Sequence, residues 1–279
     1  MRITIALPLL LALAMPAFAQ GTSIDMTDNV PGATGVTYLD LARAIAPDLE
    51  AADGHYGGTL AMPVRSLVFA EDPPVSHLPL SFYSASAVTF TSGGAELVAL
   101  LLDADAETTG ALGASVLAVF DPAHPEAPVD IADVASDQHT SFDEAALLPL
   151  GTDDDALVVS SSHFNSSQGY RNTSVLALLD GRLVELASIF TLNESYCGLE
   201  REQVPTLAPA PAAVTDRWAP FTITVTETTN LDATECDLPG VTAGTRAASA
   251  TFSWNVASGG YETDSTALED LIAETEARF

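Results

Sequence analysis

Four short runs of this chain, at residues 97–102, 114–120, 156–159 and 174–179, are apolar at nearly every position. Their length is that of strands rather than helices. The continuous runs at 97–102 and 174–179 imply strands covered on both faces, because a strand with one wet face alternates instead. Asp180-Gly181 follows one run as a two-residue hairpin turn that needs positive φ at both positions, and residues 182–192 read as the outgoing strand. Residues 156–159, 174–179 and 182–192 therefore form an antiparallel meander, with the polar segment 160–172 expected to project from one end as a loop.

The chain also repeats itself. SVLAVFD at 115–121 matches SVLALLD at 174–180, each preceded by an apolar strand and a polar segment, with Gly110 and Gly169 in register. No third copy is found, which a propeller or solenoid would require, so the pattern reads as two related strand–loop–strand units in one assembly. Later strands differ in kind. Phe221, Ile223 and Val225 alternate with Thr222, Thr224 and Thr226, and Ala248, Ala250, Phe252, Trp254 and Val256 alternate with polar residues. These predict half-exposed strands paired as a long hairpin.

Two helices are expected. Thr37 with Asp40 forms a capping box ahead of Tyr38, Leu41, Ala42 and Ile45 on one face, and Pro47 stops that helix. Near the C-terminus, Asp264 or Ser265 can cap a helix whose apolar face carries Leu268, Leu271, Thr275 and Phe279. The expected fold is mainly β (α+β): an antiparallel meander or sandwich, with a propeller-like arrangement as the alternative, and a short helix near each end. Residues 1–19 read as a secretory signal peptide, with an apolar segment after Arg2 and small residues up to Ala19 at the cleavage site. Residues 20–35 are expected to be a disordered lead-in. Residues 36–279 form a single β-rich domain, with a Pro-rich excursion at 203–220.

Charge narrows the partners. Nine basic residues, all Arg, stand against 38 acids for a net −29. Such a chain repels nucleic acid and anionic membranes, and no stretch after the leader is long and apolar enough to span a bilayer. The expected location is periplasmic or extracellular, where Cys197 and Cys236 would pair as a disulfide.

The densest polar chemistry lies in 160–172. Ser162, His163, Asn165, Gln168, Tyr170, Arg171 and Asn172 supply donors, acceptors, a stacking ring and a scarce cation. That set suits recognition of a glycan, a peptide or a periplasmic protein. Hydrolysis through His163 is the alternative. It would need an acid and a hydroxyl brought from elsewhere, since adjacent Ser and His residues do not make a nucleophilic pair and no Gly-x-Ser-x-Gly elbow is present. Asp103, Asp105 and Glu107, with Asp153, Asp154 and Asp155, are candidate calcium ligands, although neither group has the spacing of an EF-hand loop. No other cofactor is implied, and the overall expectation is an acidic exported protein that binds rather than catalyses, with calcium-dependent adhesion as a further alternative.

Overall fold

A computed structural model describes residues 21–69, 71–104, 114–210, 217–232 and 238–278. A six-stranded sheet contains β1 (Thr22–Ile24), β4 (Arg65–Ser66), β6 (Ala85–Ser92), β7 (Ala95–Ala104), β8 (Ala114–Phe120) and β9 (Asp130–Asp133), in the order β1-β6-β7-β8-β9-β4. An eight-stranded antiparallel sheet runs in chain order through β10 (His139–Pro149), β11 (Asp155–Asn165), β12 (Gln168–Leu179), β13 (Arg182–Tyr196), β14 (Leu199–Pro209), β15 (Phe221–Leu231), β16 (Gly244–Asn255) and β17 (Gly260–Thr263). A small sheet of β2 (Glu50–Ala52), β3 (His55–Thr59) and β5 (Pro79–Phe82), with helix α1 (Tyr38–Ile45), covers the outside of the six-stranded sheet. Helix α2 (Ala267–Glu276) lies at the other end of the stack.

The apolar runs explain the layering. On β7, Val98, Leu100 and Leu102 enter the core beneath α1, while Leu97, Ala99 and Leu101 enter a second core shared with the eight-stranded sheet. On β11, Leu157 and Val159 line that second core, and Ala156 and Val158 line a third. The third core is closed by Phe221, Ile223 and Val225 of β15 and by Leu268 and Leu271 of α2. The eight-stranded sheet therefore folds over itself. β13 and β14 pair only from Glu194–Arg201 to Tyr196–Leu199, and beyond that point β10–β13 and β14–β17 separate and enclose the third core. The core segments of β7, β8, β11 and β12 have no wet face and do not alternate, whereas β15 is on the outside and does. The sheets lie face to face, so of the arrangements expected from sequence the sandwich is the one found.

The internal repeat has a structural meaning. Leu117 and Val119 on β8 correspond to Leu176 and Leu178 on β12, and all four line the same central core from opposite sheets. Thr37 accepts from the backbone of Asp40 and Asp40 accepts from that of Thr37, so the capping box forms as expected. In α2, Leu268, Leu271 and Thr275 are buried, but the N-cap is Thr266, without a side-chain capping bond, rather than Asp264 or Ser265; Ser265 Oγ accepts from the Ala267 N–H at 3.1 Å from one residue further out, and Phe279 lies outside the described residues.

Three expectations are corrected. Within 20–35, residues 21–35 are not a disordered lead-in: β1 pairs with β6, and Met26 and Val30 are buried. Two apolar side chains and a strand edge anchor a segment whose composition is otherwise that of a linker. The first part of the excursion at 203–220, residues 203–209, is the end of strand β14, paired with β15 from Leu199–Leu231 to Pro209–Phe221, and residues 211–216 lie outside the described residues. Pro205 is tolerated there because β14 has no partner on its β13 side beyond Arg201, so a missing N–H breaks no ladder on that side. The segment 160–172 is not a loop. Its residues extend β11 and β12 past the core as a hairpin paired down to Asn165–Gln168, leaving Ser166-Ser167 as the turn. Backbone pairing continues although the apolar pattern has ended, because polar side chains suffice where the strands run out beyond the stacked sheets.

Candidate functional site

The hairpin presents two faces. On one, His163 and Tyr170 face each other across the strands with rings stacked at 4.4 Å between centroids. Phe190 of β13 continues the row, 6.4 Å from Tyr170. His163 Nδ1 is hydrogen-bonded to Asp137 Oδ2, and Asp137 Oδ1 accepts from the Gln138 N–H at 2.8 Å. The Tyr170 hydroxyl donates to Gln168 Oε1 at 2.5 Å. Three rings from three strands thus form a partly exposed strip, with Asp137 fixing its His163 end and Gln168 its middle ring. Deeper on the same face, Asn172 Nδ2 donates to Ser136 Oγ at 3.1 Å, and Ser161 Oγ meets Thr140 Oγ1 at 2.8 Å and the Ser136 N–H at 3.1 Å.

The opposite face is occupied by an ion pair. Arg171 Nη2 donates to Asp143 Oδ2 at 2.6 Å and to Ser160 Oγ at 3.1 Å, while Ser160 Oγ donates to the same carboxylate at 2.9 Å. Arg171 therefore neutralises a largely buried acid, and its position is dictated by Asp143. Phe164, 72% exposed, lies on this face over Gly169, where an added Cβ would meet its ring at 3.5 Å. Ser162 borders a cavity of about 320 Å³ with Ser23, Ser86, Asp103, His139 and Thr140. Asn165 stands at the exposed hairpin tip. Of the seven sequence-predicted residues, His163, Gln168, Tyr170 and Asn172 come together on one face, Arg171 and Ser162 turn away, and Asn165 stands at the tip.

The acid required by a hydrolase reading is present as Asp137, which orients His163. A nucleophile is not: among the described residues His163 Nε2 makes no hydrogen bond, and Ser161, on the same face, is 2% exposed and engaged with Thr140 and Ser136. Sequence reasoning missed Asp137 because it sits 26 residues upstream, in the segment leading into β10. No local pattern announces a partner that only sheet pairing brings close.

The acidic clusters find other employment. Asp154, 2% exposed, accepts from the Gly93 N–H at 2.8 Å and from Arg217 Nε at 2.8 Å. Asp155 Oδ2 accepts from the Thr91 N–H at 2.9 Å, and the Asp153 carbonyl accepts from the Gly94 N–H at 2.9 Å. The three consecutive aspartates clamp the β6–β7 turn to the second sheet, and their carboxylates do not converge. Asp103 accepts from the Ser115 hydroxyl at 2.6 Å and the Thr140 N–H at 3.1 Å; Asp105 and Glu107 lie outside the described residues. No group of three or more His, Cys, Asp or Glu side chains suited to a metal ion occurs among the described residues. No described helix is long and apolar enough to cross a membrane.

Comparison with protein-family models, with curated proteins and with solved structures gave no match to this chain.

Proposed function

We propose that the chain is an exported, non-catalytic binding protein whose recognition surface is the ring strip of His163, Tyr170 and Phe190, and that it takes a glycan. The observation that carries this reading is the strip itself. A stacked, partly exposed aromatic row bordered by side-chain amides and a carboxylate offers apolar contact to sugar C–H faces and hydrogen bonds to hydroxyls. Fixing of His163 by Asp137 and of Tyr170 by Gln168 lowers the entropy lost on capture. Residues 1–19 and the acidic balance support export, and the Cys197–Cys236 pairing fits the same compartment. Cys197 sits in the β13–β14 turn, and the Asp232 N–H donates to the Gly198 carbonyl at 2.7 Å, which puts Asp232 beside that turn. Cys236 itself lies outside the described residues. A calcium requirement has no support from the described acids.

The test is a glycan array probed with the mature oxidised protein, then titration of any hit against His163→Ala and Tyr170→Ala. Loss of affinity of tenfold or more in both variants, with thermal midpoints lowered by only a few degrees, is expected. Binding that survives both substitutions, or capture of peptides in place of glycans, would overturn the reading. The Asp137–His163 pair favours a second reading, ester or amide hydrolysis with a hydroxyl carried by the substrate or a water. Turnover of an activated ester that vanishes in His163→Ala would establish it.

A further inference from the structure

A second concavity is lined by Asp133 and Ala135, just ahead of the Ser136-Asp137 segment that contacts the hairpin. Val64 and Val75 exchange backbone hydrogen bonds at 2.9 and 2.8 Å, closing the intervening chain into a loop, and the Leu67 N–H ties that loop to the Asp133 carbonyl on β9 at 2.9 Å. Between the loop and the β8–β9 edge is a cavity of about 340 Å³ whose walls include Val64, Phe69, Pro73, Val75 and Leu78. Its rim carries two of the larger exposed apolar side chains, Phe69 at 44% and Val75 at 52% exposure. Asp133, which bears a carboxyl, also lines it.

That carboxyl is half used. Oδ1 accepts from the Ser115 and Ala135 N–H groups, each at 3.0 Å, while Oδ2 makes no hydrogen bond among the described residues. Burial raises the Asp133 pKa in spite of the two N–H donors, so the charged form pays for its surroundings and would gain from a cation. Asp72 adds a second carboxylate to the lining. The net charge of −29 sets the long-range field in the same sense, drawing cations and repelling anions. A neutral apolar molecule would cover Oδ2 of the partly exposed Asp133 without pairing it, which costs free energy. A divalent metal would find two carboxylates where calcium needs about six oxygens.

We propose that this cleft binds a small organic cation, a primary amine on an apolar body, with the ammonium on Asp133 Oδ2 and the body between Phe69, Val75 and Leu78. The cavity is of the size that encloses such a ligand.

Isothermal titration of the mature protein with 2-phenylethylamine, 2-phenylethanol and phenylacetate tests it, in about 0.15 M salt so that diffuse attraction is screened. Saturable binding of the amine is expected, with the alcohol and the carboxylate at least tenfold weaker. Asp133→Asn keeps an acceptor for both N–H groups and should lose tenfold or more in amine affinity with its thermal midpoint nearly unchanged. Phe69→Ala, at the exposed rim, should weaken the amine without touching the fold, and it decides the matter if the Asp133 variant fails to fold. Equal binding of amine and alcohol, amine binding unchanged in either variant, or no saturable binding at millimolar amine would overturn the proposal.

Discussion

At the scale of single residues, the arginines carry the clearest lesson. Six of them, Arg65, Arg171, Arg201, Arg217, Arg246 and Arg278, form ion pairs with acids. Their partners include the side chains of Asp154 and Glu194, each 2% exposed, and Glu227 at 7%. A buried carboxylate left unpaired is among the costliest groups a fold can hold, so the few cations go where acids are buried. Arg171, expected from sequence to meet a ligand, belongs to this set. Glu227 shows the effect most strongly. Burial would raise its pKa, but hydrogen bonds from Arg246, Arg278 and Gln203 outweigh that and hold it at about 2, against an ordinary 4.5. Because the folded value is depressed, the stabilisation is fully present above pH 4.5 and is lost as the pH falls from there toward 2. Glu227→Gln should therefore remove a pH-dependent contribution on the order of 2 kcal/mol, discounted for the half-exposed Arg246. Urea unfolding of both proteins across that range would show curves that converge in acid. Asp154→Ala strands the Gly93 N–H and frees Arg217, and should cost about 2–4 kcal/mol in the same assay. A thermal shift specific to calcium and abolished by Asp154→Ala would instead assign the aspartates to a metal.

At the scale of elements, turns and periodicity were largely legible. Asp53-Gly54, Gly93-Gly94, Asp180-Gly181 and Cys197-Gly198 all have positive φ at both positions and all join paired strands through two residues. Cys197-Gly198 is the exception among them, because Cys at φ 56 is not one of the residues that announce such a turn. The β11–β12 turn gave no such signal. Ser166 occupies the left-handed region at φ 52 without being Gly, Asn or Asp, so a polar stretch of Ser and Asn read as loop. Ser166→Gly should stabilise the protein by about 0.5–1 kcal/mol by relieving that backbone cost, measured as a rise in the urea midpoint. No change would mean that the turn is already relaxed. At the first helix, Thr37→Ala should cost about 1 kcal/mol, since it removes the acceptor for the Asp40 N–H and the hydroxyl that meets Asp40 Oδ2 at 2.7 Å.

At the scale of the whole molecule, the three cores share walls. The six-stranded sheet lines the first and second cores, and β11 and β12 line the second and third, so stripping one layer exposes the apolar face of the next. The expected outcome is a single calorimetric transition whose measured and van't Hoff enthalpies agree, notwithstanding the size of the chain. Leu176→Ala, in the shared central core, should lower stability by about 2–5 kcal/mol while keeping one transition. Two separable transitions would mean that the layers fold independently.

The strands, their buried or half-buried character, the tight turns and the first helix cap were written locally, because each depends on side-chain alternation or on φ preferences within a few residues. The layer order was not, since an apolar run states that both faces are covered and leaves open by what. Tertiary structure alone placed Asp137 on His163, Arg217 on Asp154 and Asp133 beside the 64–75 loop. These contacts join segments that strand pairing and sheet stacking bring together, and the free energy that selects them belongs to burying shared cores rather than to any local pattern.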